Sequence, residues 1–263
     1  YPGYPQGRTG PDMMNDLREQ AQRFETDIRN GWVTKVDFSG PVHKVWVDDT
    51  KEVHADAVII CTGANAKWLG LPNETRLRDI GGGVTACAVC DGFFYRGQTV
   101  ALVGAGDTAA EEATYLAKLC PKVYMLVRRD VFRASKAMVH RVENTPNIEV
   151  LFNTEVKDVV GEQAVEGLIV ANNKTGEERK LDVTGLFVAI GHQPATDIFK
   201  GQLEMDPQGY IKHKPDSTWT NVPGVFVAGD AADKVYRQAV TSAGSGCMAA
   251  LDAERWLAAQ GKH

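Results

Sequence analysis

Met13, Met14, Leu17, Ala21 and Phe24 recur at helical spacing, so residues 11–28 predict an amphipathic helix with Gly31 as its stop. The period then changes. Residues 32–38, 42–48 and 53–61 alternate or run apolar as strands do, parted by Ser39-Gly40-Pro41 and Asp48-Asp49 turns. The third run ends in Thr62-Gly63-Ala64, and the polar, Pro-containing stretch 65–83 reads as a crossover between domains. A strand at 98–103, a helix at 107–119 and a strand at 122–127 make one βαβ unit. A helix follows at 135–143, then strands at 148–152, 156–160, 165–172 and 178–182, with 186–190 closing the block as a buried strand. From Gly191-His192-Gln193-Pro194 the chain reads as a second crossover. Residues 225–228 give one more buried strand, ending in Gly229-Asp230, and 242–257 a final helix.

Composition narrows the class. The 263 residues are 43% hydrophobic and 24% charged, enough for about two domains with cores of their own. With 29 Lys+Arg against 34 Asp+Glu the net charge is −5, and no basic stretch exceeds Arg128-Arg129, so there is no electrostatic footprint for duplex nucleic acid or anionic lipid. The longest apolar runs have strand length, and the first thirty residues contain no apolar segment resembling a signal peptide, so a soluble protein is expected. Cys61, Cys87, Cys90, Cys120 and Cys247 form an odd, sparse set that argues against a secreted disulfide framework and for a cytoplasmic location. Cys61, Cys120 and Cys247 sit among apolar or small residues and are expected to be buried and inert. The chain opens at Tyr1 within a Pro/Gly-rich loop, so a preceding N-terminal piece is expected.

Two motifs carry chemistry. Gly104-Ala105-Gly106-Asp107-Thr108-Ala109 fits G-x-G-x-x-G/A and lies between a strand and a helix. Gly104 can make the tight turn, Gly106 can let the backbone approach a pyrophosphate, and Ala109 can pack on the strand. The acidic residue that accepts from an NAD ribose about twenty residues further on is replaced by Arg128-Arg129, with Arg133 nearby. Guanidinium groups pair with a 2′-phosphate, which favours NADPH over NADH. Cys87-Ala88-Val89-Cys90 at a helix start can close a small disulfide ring, followed at once by Asp91 as a proton exchanger. Zinc would need two further ligands at comparable spacing, and no second Cys or His pair exists. Passing a hydride's two electrons to a disulfide usually takes an intermediary, for which a flavin is the natural candidate. Residues 1–60 nevertheless hold no G-x-G-x-x-G for a second dinucleotide.

With these residues in place, the whole chain resembles the low-molecular-weight thioredoxin reductase family. The resemblance rests on Gly82 to Gly92 around the two cysteines, Gly104 to Ala109, and Arg128-Arg129 with Arg133. It extends through Gly191-His192, Gly224 to Asp230, Tyr236-Arg237-Gln238-Ala239 and Ser242-Ala243-Gly244. It implies an α/β fold of two dinucleotide-binding, Rossmann-like domains of the pyridine nucleotide-disulfide oxidoreductase type. The FAD domain would be discontinuous and N-terminally incomplete, with parts at 1–66 and 194–263 around an NADPH domain at 67–193. It implies an FAD enzyme passing electrons from NADPH to a Cys87–Cys90 disulfide and on to thioredoxin, Cys90 facing the flavin, Cys87 attacking the partner and Asp91 serving as acid/base. Asp230 would bond the ribityl or phosphate region beside Gly229. Arg237, Gln238 and Ala239 would lie near the isoalloxazine ring, and Thr62-Gly63 would match the crossover beside FAD. A homodimer, and a hinge at 64–70 and 191–196, are further implications.

Two departures stand out. The residue before the arginine pair, usually His in the family, is Val127. The family's FAD fingerprint comes first, so roughly fifty residues, more than one βαβ unit of about thirty, are expected before Tyr1, and this chain alone is expected to hold FAD poorly. Two rival readings remain. The flavoprotein subunit of alkyl hydroperoxide reductase shares this core but resembles an NADH user, against which Arg128-Arg129 discriminate. A flavin-free NADPH-binding module, or an inactive reductase fragment, fits the absent fingerprint, while Cys87, Cys90, Asp91 and Asp230 argue for a redox parent.

Overall fold

A computed structural model describes residues 1–262. The chain divides into two compact units, Tyr1–Asn65 with the return segment from Gln193, and Ala66–His192.

The first unit starts with α1 (Gly10–Arg23), whose N-terminus is capped by the Thr9 hydroxyl accepting from Asp12 N–H. This helix ends five residues before the predicted limit, because Phe24 folds its N–H back onto Ala21 and Glu25 takes a left-handed conformation at φ 64°. Strands β1 (Val33–Asp37), β2 (His43–Val47) and β3 (Lys51–Ala55) form an antiparallel meander. The run 53–61, expected as a single strand, is broken at Asp56-Ala57. β3 pairs with β2, whereas β4 (Val58–Ile60) belongs to another sheet. The chain then leaves through β5 (Ala64–Ala66).

The second unit opens with α2 (Pro72–Asp79), a helix inside the stretch read from the sequence as a crossover, with no element expected there. β6 (Val84–Thr85), α3 (Ala88–Asp91), β7 (Thr99–Val103), α4 (Asp107–Leu116) and β8 (Lys122–Val127) follow. Next come α5 (Lys136–Glu143), β9 (Ile148–Phe152), β10 (Thr154–Val160), β11 (Gly167–Asn172), β12 (Glu178–Leu181) and β13 (Gly185–Val188). β7, α4 and β8 form the expected βαβ unit, with the two strands parallel. The central sheet has the order β6-β13-β7-β8-β9 and is parallel throughout.

Both faces of this sheet are buried, which is why its strands read as continuous apolar runs. Ala101, Leu126, Leu186 and Val188 point into one core shared with the antiparallel meander β10-β11-β12. Val100, Leu102, Val123, Met125 and Phe187 point into the other, against Ala109, Ala110, Ala113 and Leu116 of α4. The alanines let α4 approach the strands closely, so the unit is a stack of meander, parallel sheet and helices.

The return segment carries β14 (His192–Pro194), which pairs with β5 as a two-stranded ribbon, then β15 (Val225–Val227) and α6 (Ala239–Ala259). β15 pairs parallel with β4, Val227 opposite Ile60. α6 starts three residues earlier than expected, where Gln238 N–H bonds the Thr241 hydroxyl at 3.3 Å.

Glu74 is fully buried, and its carboxylate accepts the N–H groups of Leu69, Gly70 and Leu71 at 2.8, 2.8 and 3.1 Å. Removing it strands three donors, so Glu74→Ala is expected to cost roughly 3 kcal/mol in urea unfolding. His43 is buried against the Pro223 carbonyl, and its Nδ1 has no hydrogen-bond partner. Burial pushes its pKa below 6.5, against the opposing pull of Pro223 and Asp56. The unfolded chain therefore binds the proton more readily, and this stability is present above about pH 6.5 and lost as pH falls. Urea midpoints between about pH 7 and pH 5 are expected to fall less steeply in His43→Gln than in the parent.

Candidate functional site: a nucleotide cleft and a redox disulfide

The turn after β7 shows why its glycines are needed. A Cβ on Gly104 would lie 2.5 Å from Ala109 Cβ and 2.6 Å from the Ala189 carbonyl, so only glycine lets the turn, the start of α4 and β13's continuation meet. Gly106 is different. A Cβ there would meet nothing within 4 Å, leaving the backbone open to an incoming group. The first N–H groups of α4 have no acceptor within their own helix and carry its positive dipole end.

Beside this turn is a cleft of about 430 Å³ lined by Gly104, Ala105, Arg128, Arg129, Arg133 and Glu155 among others. Arg128 and Arg129 follow the last residue of β8, so the parallel sheet delivers the turn and the guanidiniums at the same carboxyl-terminal edge. All three arginines are exposed and none forms a salt bridge among the described residues, although the Arg129 charge lies close enough to Asp130 to help hold that carboxyl down. The neighbouring Asp130 is held below the usual carboxylate range by Lys174, which bonds it at 2.7 Å. The residues therefore fit a phosphorylated nucleotide: helix-start donors, an open backbone and three exposed guanidiniums engaged in no salt bridge among the described residues. Thr108 is exposed at the start of α4, whereas Ala109 is buried under the turn.

Cys87, Cys90 and Asp91 lie elsewhere in the same unit. Cys87 and Cys90 are joined as a disulfide across α3, and Cys90 N–H also bonds Cys87 Sγ at 3.2 Å. Thr85, the last residue of β6, holds both ends of this turn. Its hydroxyl donates to Asp91 Oδ2 at 2.5 Å and accepts Cys87 N–H at 3.2 Å. Buried Ala88 packs α3 on the helix side of the sheet. Tyr95 stacks edge-on against Phe187 at 5.3 Å, its phenol pKa raised by burial and then by the Asp91 charge. Cys90 is exposed, and Val89, Phe93 and Phe94 beside it are 61%, 64% and 74% exposed, an apolar surface around the disulfide.

In the first unit, Thr62-Gly63 and Gly229-Asp230 follow the paired strands β4 and β15, so both lie at their carboxyl ends. Gly229 N–H bonds the Ser245 hydroxyl at 2.9 Å, and Ser242 donates to Asp230 at 3.1 Å, tying this edge to α6. Arg237, Gln238 and Ala239 form the entry to α6. Asp233, which sequence reasoning passed over, organises that entry by accepting the N–H groups of Val235, Tyr236 and Arg237. Burial pushes its carboxyl up, yet those bonds prevail and hold it below the usual range. The carboxyl ends of β4 and β15 and the first turn of α6 thus gather backbone donors and the Asp230 carboxylate at one edge, a donor and acceptor set that fits a nucleotide such as a flavin's.

The thiol expectation needs correction. Cys120 is buried, but Cys61 and Cys247 are exposed, because β4 and α6 bury Ile60, Ala249 and Ala253 instead.

A disulfide on one unit and an arginine-lined nucleotide turn in a parallel sheet define a nucleotide-dependent disulfide oxidoreductase. The family described as pyridine nucleotide-disulphide oxidoreductase matches residues 7–246. The thioredoxin reductase of Mycolicibacterium smegmatis is 50% identical over 261 residues, 99% of this chain and 83% of that protein. That of Streptomyces clavuligerus is 50% identical over 260 residues, covering 98% and 80%. The solved thioredoxin reductase from Giardia duodenalis superposes with a TM-score of 0.92 at 42% identity, covering 98% of this chain and 84% of that one. The chain belongs to the pyridine nucleotide-disulphide oxidoreductase family, among its thioredoxin reductases.

Burial pushes the Cys120 thiol up to about 11, and it donates to the Tyr95 carbonyl at 3.3 Å. At pH 8 about one molecule in a thousand carries its thiolate. After dithiothreitol treatment, iodoacetamide is expected to label Cys87 and Cys90 at least about a hundredfold faster than Cys120, as read by peptide mass mapping.

Proposed function

We propose that this chain carries the electron path of an NADPH-dependent thioredoxin-disulfide reductase, with FAD as intermediary and Cys87–Cys90 as the redox centre. The observation that carries the reading is the disulfide followed by Asp91, whose carboxylate is held by Thr85, in the same unit as a cleft lined by three exposed guanidiniums.

Arg128, Arg129 and Arg133 bind the 2′-phosphate, a bidentate recognition suited to guanidinium. Gly104, Gly106, Asp107, Thr108 and Ala109 form the turn that receives the pyrophosphate against the start of α4. In the first unit Thr62, Gly63, Gly229, Asp230, Arg237, Gln238 and Ala239 hold the flavin nucleotide. Bound there, a flavin supplies the two-electron relay between a nicotinamide and a disulfide.

The chain's own chemistry is thiol–disulfide exchange. Two electrons break the Cys87–Cys90 bond and leave two sulfurs, which take up protons with Asp91 as the local acid/base. The Cys87 thiolate attacks one sulfur of the thioredoxin disulfide, forming a mixed disulfide and releasing the other sulfur, which takes a proton from Asp91. Cys90 then attacks Cys87, restoring the original disulfide and freeing thioredoxin as a dithiol. The apolar surface of Val89, Phe93 and Phe94 supports docking of a protein disulfide. No helix among the described residues is long and apolar enough to cross a membrane. A cytoplasmic homodimer completes the proposal.

The test incubates the chain with FAD, removes the excess, and adds NADPH without oxygen while recording the visible spectrum and counting thiols. Bleaching of a retained flavin band with two new thiols per chain, the thiols absent in Cys90→Ser, would bear out the full electron path and overturn the expectation that this chain holds FAD poorly. NADPH binding without flavin retention would favour the flavin-free module, and failure to bind NADPH would overturn the nicotinamide assignment.

A further inference from the structure

The three arginines stand on a loop between β8 and α5, and exposed guanidiniums on a free loop would sample many positions before meeting a phosphate. This loop is fastened at both ends. At its start, Asn173 Nδ2 bonds the Arg128 carbonyl at 2.7 Å and Asn153 N–H bonds the Arg129 carbonyl at 3.0 Å. At its end, Arg133 N–H and Ala134 N–H both bond the Ala105 carbonyl, at 2.8 and 3.0 Å, inside the nucleotide turn itself. One residue further, Asp107 Oδ1 accepts both the N–H and the hydroxyl of Ser135, each at 2.8 Å.

Two features make the Asp107–Ser135 contact informative. Ser135 is the N-cap residue of α5, where a serine hydroxyl normally accepts an N–H of its own first turn. Here it makes no such bond and donates to a carboxylate 28 residues away. Asp107 meanwhile is the first residue of α4, where a negative charge suits the helix dipole but opposes an arriving phosphate. Ser135 N–H and then its hydroxyl hold that carboxyl below the usual range, so the charge is present at neutral pH.

We propose that Asp107 and Ser135 form a clasp that fixes the arginine loop against the nucleotide turn and so sets selectivity for a 2′-phosphorylated nucleotide, the Asp107 side chain positioning the loop while its backbone belongs to the turn that receives the pyrophosphate. The inference rests on the reading of this cleft as an NADPH site.

The test needs no flavin. Affinities of the chain for 2′,5′-ADP and for 5′-AMP, which differ only in the 2′-phosphate, are measured by titration calorimetry. The parent chain is expected to favour 2′,5′-ADP. Asp107→Ala, which removes both bonds, is expected to lower that preference about tenfold, Ser135→Ala, which keeps the backbone N–H bond, by less, and the double variant by no more than Asp107→Ala alone, because every bond of the clasp ends on Asp107. Asp107→Asn keeps an acceptor oxygen for Ser135 and is expected to retain the preference. Thermal unfolding of each variant confirms that the chain is folded. A parent without preference would sink the NADPH reading and the clasp with it. A preference unchanged in both alanine variants, an equal loss for both nucleotides, or an Asn variant as impaired as Ala would overturn the clasp while leaving the NADPH reading intact.

Discussion

The constraint on which the second unit depends is that its parallel sheet is sealed on both faces. Val100, Leu102, Met125 and Phe187 fill one side, and Ala101, Leu126 and Leu186 the other, each fully buried. Polar chemistry can then sit only where strands end, and parallel strands gather their carboxyl ends along one edge. The glycine turn after β7 and the arginine pair after β8 meet there for that reason. The same logic recurs on a smaller scale in the first unit, where β4 and β15 deliver Thr62-Gly63 and Gly229-Asp230 side by side.

Hydrogen bonds to side chains complete what the strands begin. Glu74 gathers three N–H groups of one loop and Asp233 three of another. Such carboxylates act as local organisers of irregular backbone, satisfying donors that no ladder or helix could reach.

Much of this was readable from the chain itself. The βαβ unit announces itself because a doubly buried strand must be apolar at every position, and the glycines because close approach excludes any side chain. The paired cysteines are legible for their spacing. What escaped has a common cause. Helix α2 is largely polar and is started by Pro72 and a carboxylate that reaches back to preceding residues, so periodicity does not reveal it. The break between β3 and β4 reflects a change of partner strand, which alternation within one segment does not encode. Thr85, Ser135 and Asp233 matter through contacts with particular atoms, and a hydroxyl or carboxylate in a sequence carries no mark of what it will bond. Cys61 and Cys247 were misjudged because apolar neighbours along a chain do not decide which face of an element is covered.

Thr85 has a consequence for the redox centre as a moving part. Its hydroxyl grips Cys87 N–H and Asp91, and Cys90 N–H reaches Cys87 sulfur, so the turn is closed by a ring of hydrogen bonds alongside its covalent bond. Electron uptake can then open the sulfur–sulfur link without unravelling the backbone that carries it. The path of this turn therefore rests on three hydrogen bonds as well as on the sulfur–sulfur link, and the covalent bond is not the sole tie between its two ends.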